Sequence, residues 1–344
     1  MRLACLTLAL SLWISPATAF EPEDFLRIEG TGDRVLRILS TADLDVFTPY
    51  LEAFHRANPT LDLEYTVASS ADLHREISSG AVYDVAISSA MDLQFQLAND
   101  GLTQRYRSPM TQSLPDWATW RDVIFAFTTE PAVVLVSTEY FEGLSIPQSR
   151  QDLIEVLRDN PARFAGSIGT YDVRDSGLGY LFATQEARAT DAYWRLSEVM
   201  GRLNPMLYCC SSQMIEDVMS GKLALAYNVL GSYVAERLAD QSEGRVQILR
   251  MTDFSNVILR TALIPSTAQN PNDAGAFIDA LLSIALRDGA DGWPLPPLND
   301  ASPAASSAGF GPIRIGPALM VYLDPLNRRN FLAEWENAIV QQQR

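Results

Sequence analysis

Residues that ligate metals or partner a nucleophile are nearly absent from this chain. Its 344 residues hold three cysteines (Cys5, Cys209 and Cys210) and two histidines (His55 and His74). Neighbouring ligands that would complete a metal set around the cysteine pair are missing, so no metal site is expected. Both histidines fall on helices that read as surface helices, which leaves a Ser-His-Asp arrangement without a general base. The sequence also lacks a G-x-S-x-G elbow, an H-E-x-x-H helix and a glycine-rich phosphate loop. Spacing alone does not test paired carboxylates, but no motif favours an enzyme or a resident cofactor. Lysine is nearly absent too, since Lys222 is the only one. An anion would have to be gripped by arginine, hydroxyls and backbone amides. Basic residues number 26 against 42 acidic ones, a net charge of −16 that repels nucleic acid and anionic membrane surfaces.

Long apolar runs are lacking as well. Leu3–Ile14 is too short to cross a bilayer, and Val123–Val136 is cut by Thr128-Thr129-Glu130-Pro131. Arg2, the apolar stretch and Ala17-Thr18-Ala19 together read as a cleavable signal peptide over residues 1–19. No cysteine follows it closely, so a lipid anchor is not expected. The remainder is expected to be exported and periplasmic. In an oxidising compartment Cys209 and Cys210 are either a vicinal disulfide or two packed thiols.

What is present is a repeated pattern. The apolar runs Val35–Leu39, Leu61–Val67 and Val82–Ile87 lead into Ser40–Asp43, Ser69–Asp72 and Ser89–Asp92. Serine three residues before an acid marks a helix start. Strand followed by cap, repeated, predicts parallel strands whose helix N-termini open at one sheet edge, where an anion or polar ligand is held. The first step is the weakest of the three, because Pro49 suits a helix start at Thr48-Pro49. Strand and helix patterns alternate again from Gln151, and from Asn256 the chain reads as returning to its first half. Such a length exceeds one ordinary core. The expected class is α/β in two lobes, with residues 20–127 as lobe 1, 128–250 as lobe 2 and 251–344 returning to lobe 1. That return carries a Pro/Gly/Ser/Ala-rich loop over 289–316 and a C-terminal helix. The acidic turn Asp288–Asp291 lacks the full calcium-loop pattern and reads as a plain loop.

Several stretches, taken in order, carry a resemblance. They are Leu36–Thr41, Asp84–Met91, Glu130-Pro131-Ala132-Val133-Val134, Gly169–Asp172 with Ser176-Gly177, Ser211–Gly221 with Ala224–Tyr233, and Ile264-Pro265 before Asn270-Pro271. Over most of residues 34–287 the chain resembles type II periplasmic solute-binding proteins of bacterial ABC importers, in the group of ferric-ion, phosphoglycerate and sugar-phosphate binders. The resemblance implies a two-lobe periplasmic-binding-protein type II fold with a hinge and an interlobe cleft, usually in a monomer. It also implies capture of a small anion, a carboxylate or phosphorylated compound, by hinge closure, with delivery to an ABC permease. The tail Gly311–Trp335, with Tyr322-Leu323-Asp324 and Arg328-Arg329, resembles a branch encoded beside sensor histidine kinases. It brings in the periplasmic domain of such a kinase as the alternative partner of a ligand-sensing regulator.

Carried over residue by residue, the resemblance implies ligand contacts at Ser40, Thr41, Ser88 and Ser89 on the first lobe. On the second it implies Thr170, Tyr171, Arg174, Ser176, Ser211, Ser212, Asn228, Ser232 and Tyr233. Arg174 is the expected cation, since hydroxyls at a helix start beside an arginine suit a carboxylate or phosphate. Ferric binders of the group carry paired tyrosines where this chain has Ser232-Tyr233. A ferric ion is therefore the weaker ligand, with Tyr233 as its one candidate phenolate.

Overall fold

The opening apolar runs become parallel strands. The computed structural model describes residues 20–239, 244–287, 292–298 and 312–341. The signal-peptide reading of 1–19 and the acidic turn 288–291 lie outside them, as does most of the loop 289–316. In chain order the first elements are β1 (Asp24–Ile28), β2 (Arg34–Ser40), α1 (Leu44–Ala57), β3 (Leu61–Val67), α2 (Ser70–Ser79), β4 (Val85–Ser88), α3 (Met91–Asn99), β5 (Thr103–Gln104), α4 (Pro109–Gln112) and β6 (Thr119–Trp120). Then follow β7 (Ile124–Ser137), α5 (Arg150–Asp159), α6 (Pro161–Phe164), β8 (Ile168–Tyr171), α7 (Gly177–Ala189), α8 (Ala192–Arg202), β9 (Met206–Tyr208), α9 (Ser211–Met219), β10 (Leu225–Leu230), α10 (Gly231–Ala239) and β11 (Val246–Leu249). The chain closes with β12 (Val257–Pro265), α11 (Pro271–Ala285), a 3-10 segment (Pro317–Tyr322), α12 (Pro325–Trp335) and a π-helical turn (Glu336–Val340).

One sheet runs in the order β1-β3-β2-β4-β12-β7-β10-β8-β9. β2 pairs in parallel with β3 and β4 in the first lobe, and β8 pairs in parallel with β10 and β9 in the second. β7 joins the lobes. Its first half pairs with β12 up to Pro131, and from Ala132 it pairs with β10. In the sequence Thr128–Pro131 interrupts the apolar run of this segment. It lies inside a single buried strand, because Thr128 and Glu130 are hydrogen-bonded there rather than solvated. β1, ahead of the first apolar run, pairs antiparallel to β3.

Of the three Ser-x-x-Asp steps only the middle one is a cap. Ser69 accepts the Asp72 N–H at 3.1 Å, and α2 begins behind it. α1 starts after Asp43, with Pro49 inside the helix, and α3 starts after Ala90, both without a side-chain cap. In those two places the last serine of the strand accepts an N–H two residues on, Ser40 from Ala42 and Ser88 from Ala90. That shorter loop tightens the strand end and moves the helix start downstream. Ser69→Ala is expected to cost about 1 kcal/mol of stability in urea unfolding, whereas Ser89→Ala, which removes no cap, is expected to cost less.

The C-terminal part departs from the expected return to lobe 1. The 3-10 segment packs on α3 of the first lobe, but α12 and the π turn pack on the second. There Phe331 meets Tyr180 at 5.5 Å and Trp194 at 5.4 Å between ring centroids. Aromatic burial against α7 and α8 decides this docking, since Phe331 and Trp335 share a buried cluster with Tyr193, Leu196 and Met200. Gly201 on α8 makes the close approach possible, because a Cβ there would collide with the Ala338 carbonyl. Gly201→Ala should therefore destabilise by about 1–3 kcal/mol in denaturant unfolding.

Candidate ligand-binding cleft

Four helices begin at one cleft between the lobes, α1 and α2 from the first and α7 and α9 from the second. Their cap residues Asp43, Ser69, Ser176 and Cys210 all line it. Strand-to-helix turns at the strand ends of the two halves of the sheet put them there, and each helix start brings a positive dipole end and free N–H groups. The enclosed space is about 50 Å³, room for roughly three or four waters. The lobes also touch across it. Ser212 Oγ donates to Asp43 Oδ2 at 2.5 Å, the Asp43 N–H donates to the Tyr233 hydroxyl at 3.3 Å, and Arg237 pairs with Asp45 at 2.9 Å.

Among the described residues no lysine or arginine lines this cleft, while Glu23, Asp43 and Asp175 do. Burial pushes the Asp43 carboxyl up, against the opposing effect of the Ser212 hydrogen bond. Burial also raises Glu23, with Asp43 and Asp72 nearby adding to it. Tyr171 and Tyr233 are buried phenols whose pKa values burial raises, so both stay neutral. The Tyr171 hydroxyl is hydrogen-bonded to Ser211 Oγ at 2.5 Å, and that oxygen also accepts the Leu230 N–H at 3.1 Å. Cys209 and Cys210 form a vicinal disulfide on the second-lobe wall. Among the described residues no group of three or more His, Cys, Asp or Glu is arranged to hold a metal ion.

Seven of the expected contact residues meet here: Thr41, Ser89, Tyr171, Ser176, Ser211, Ser212 and Tyr233. The other six lie elsewhere. Ser40 and Ser88 are buried and bonded to their own turns. Thr170 and Asn228 line a separate hollow inside the second lobe. Asn228 has the left-handed φ of 63°, at the point where the β10–β7 register shifts. Ser232 donates to Glu130 Oε2 at 2.7 Å, beneath the cleft.

Arg174, the expected cation, turns away. Its guanidinium binds Asp172 through Nε at 2.8 Å and lies 5.7 Å from the Trp335 ring. The acid two residues before it supplies a local partner that no cleft contact displaces. Sequence reasoning missed Glu23, Asp43, Ser69, Ser70, Asp175 and the wall position of the disulfide. Ser69 and Asp43 were in view as parts of cap steps, and a cap on a strand-to-helix turn faces the same edge as a ligand. His74 is not an ordinary surface residue either. It is half-buried, and its Nε2 has no hydrogen-bond partner.

Residues 36–288 match the family model for bacterial extracellular solute-binding proteins. The chain belongs to that family. Among solved structures, this solute-binding protein is similar to the substrate-binding protein of an ABC transporter from Agrobacterium tumefaciens, at 29% identity and a TM-score of 0.85. That match covers 92% of this chain and 98% of the other. A second is AfuA from Actinobacillus pleuropneumoniae with fructose-6-phosphate bound, at 17% identity and TM-score 0.70 over 90% and 100% of the two chains. A third is iron-bound HitA from Pseudomonas aeruginosa, at 14% identity and TM-score 0.65 over 89% and 99%. At those identities the last two speak for the fold alone. No curated protein matches the chain.

Proposed function

We propose that this solute-binding protein is the exported, periplasmic receptor of an ABC importer, and that it captures a small hydroxylated anion by closure of its lobes. The observation that carries this reading is the convergence of four helix N-termini, two from each lobe, on one hydroxyl-lined cleft. Ligand bound there touches both lobes at once and so favours their closed arrangement. Amide and hydroxyl donors attract a carboxylate or phosphate, while Glu23, Asp43 and Asp175 offer acceptors for hydroxyls on the same molecule. Hydroxy acids and sugar phosphates combine both features, and fructose-6-phosphate, which AfuA holds, is one of them. The permease is the proposed partner. No structural observation favours the sensor-kinase partner suggested by the tail.

A ferric ligand draws no support from the cleft. Tyr233 and Tyr171 are neutral buried phenols, and both hydroxyls already have partners.

A thermal-shift panel of hydroxy acids, sugar phosphates, polyamines and ferric salts tests the reading. At a hundred times its dissociation constant the right solute should add about 2.7 kcal/mol of stability. Ser212→Phe, which fills the cleft, should abolish that gain. A shift produced only by polyamines or iron would sink the anion assignment.

A further inference from the structure

A second cavity of about 280 Å³ adjoins the cleft, and Asp175 and Ser176 line both spaces. Its walls come from three parts of the chain. His74 and Asp92 stand on α2 and α3, Arg174 and Tyr180 on the turn before α7 and on α7 itself, and Arg328 on α12. It therefore spans both lobes and the C-terminal segment.

Arg328 has an unusual environment in a chain so rich in acids. Its guanidinium is stacked over the Tyr180 ring at 4.7 Å and, among the described residues, has no ion pair. Stacking holds the group in place while leaving its in-plane N–H donors free. Across the cavity Asp92 is 3% exposed, and its carboxyl accepts only N–H groups of its own helix start, Leu93 at 2.9 Å. The Nε2 of His74, also on this wall, lacks a partner. Arginine donors, an acid and an imidazole without tertiary partners thus surround one space beside the cleft.

We propose that this cavity is a second subsite of the receptor, binding the oxyanion group of the captured solute with Arg328 as its cation. The inference rests on the receptor reading and deepens it. The solute's hydroxyls sit among the cleft's acids, and its carboxylate or phosphate lies at the α7 start by Ser176 and reaches on to the arginine. Fork-shaped donors match two oxygens of such a group and add a fixed positive charge to the cleft's amide and hydroxyl donors. Asp92 sets the pH range. The groups facing it are His74 from α2, Tyr180 from α7, Arg174 and Asp175 from the turn before α7, and Arg328 from α12. Burial pushes its carboxyl up to about 7, although Arg328 and backbone hydrogen bonds pull the other way. Below that pH the acid is neutral and donates to an oxyanion, and above it the carboxylate repels one. Burial keeps His74 below its ordinary value and hence neutral near pH 7.

Calorimetric titration of the whole protein with inorganic sulfate, whose charge is fixed across the range, tests the subsite directly. Wild type should bind sulfate more tightly at pH 6 than at pH 8.5. Arg328→Gln should weaken binding about tenfold or more at pH 6. Arg328→Lys should retain part of the affinity, an outcome that a folding defect would not give. Asp92→Asn should remove the pH dependence, and Ser212→Phe should leave sulfate binding in place. The proposal is overturned if wild type binds no sulfate, or if Arg328→Gln binds it as wild type does. Loss of sulfate in Ser212→Phe but not in Arg328→Gln would also overturn it, while leaving the receptor reading intact. Failure of the solute panel, by contrast, would sink the receptor reading whatever sulfate does.

Discussion

Arg260→Met should lower the unfolding free energy by about 3–5 kcal/mol, seen as a fall in the urea midpoint with little change in slope. Arg260 and Glu130 are both fully buried where β7 passes from one lobe to the other. The guanidinium binds the carboxylate through Nε at 2.8 Å and Nη2 at 3.1 Å. Thr128 and Ser232 donate to the same carboxylate at 2.9 and 2.7 Å. Removing the arginine strands a charge that has no route to water. Burial by itself would raise Glu130, but the charge and hydrogen bonds of Arg260, with Ser232 and Thr128, outweigh it and hold the carboxyl below its ordinary range. A depressed folded-state value contributes stability above the unfolded pKa, and that stability is lost as the pH falls through the folded value. In Arg260→Met this acid-linked loss should vanish. The double variant Glu130→Leu/Arg260→Met should recover most of the midpoint, because an apolar pair replaces the ion pair without stranding a charge. A single variant as stable as wild type would show that water reaches Glu130.

Asp92→Asn should act in the opposite direction and should stabilise the protein. The Asp92 carboxyl is raised to about 7, chiefly by burial. A raised folded-state value means that the buried acid is tolerated when protonated and penalised when ionised. Its contribution is therefore intact below the unfolded value near 4 and declines as the pH rises towards 7. The interval between those values corresponds to about 4 kcal/mol. Asparagine keeps the shape and carries no charge. The variant should match wild type near pH 4 and exceed it by roughly that amount at pH 8. Unfolding curves at the two pH values check this, and equal stability of the two proteins at pH 8 would refute it.

Both predictions involve groups whose meaning the sequence hides. Strand and helix order could be read because the periods that reveal it are local, as with the apolar runs Val35–Leu39 and Leu61–Val67, which became β2 and β3. The polar stretch Thr128–Pro131 misled, since the arginine that neutralises Glu130 is 130 residues away. Hydroxyls at helix starts were legible because cap and ligand contact favour the same turn. Carboxylates such as Glu23 and Asp43 were not, because 42 acids give no single one prominence. Arg174 drew attention from its neighbours in sequence, and one of those neighbours, Asp172, is what occupies it. Arg328 had no local signal. Only the fold brings it to Tyr180, 148 residues earlier in the chain.

The position of β12 has a consequence for the order in which the molecule can be completed. It lies between β4 and β7, yet begins only at Val257. A chain growing from its N-terminus has made every other strand of the sheet among the described residues before this one exists. Until then the first-lobe sheet has a gap at its centre, with the edges of β4 and β7 unpaired. The second-lobe strands can pair earlier, since β8, β9 and β10 all precede that point, although α12 docks on them later. Of the two halves of the sheet, the one met first in sequence is thus the last to close, through contacts of long sequence separation that form slowly. Refolding experiments should find second-lobe amides protected before those of β2 and β4.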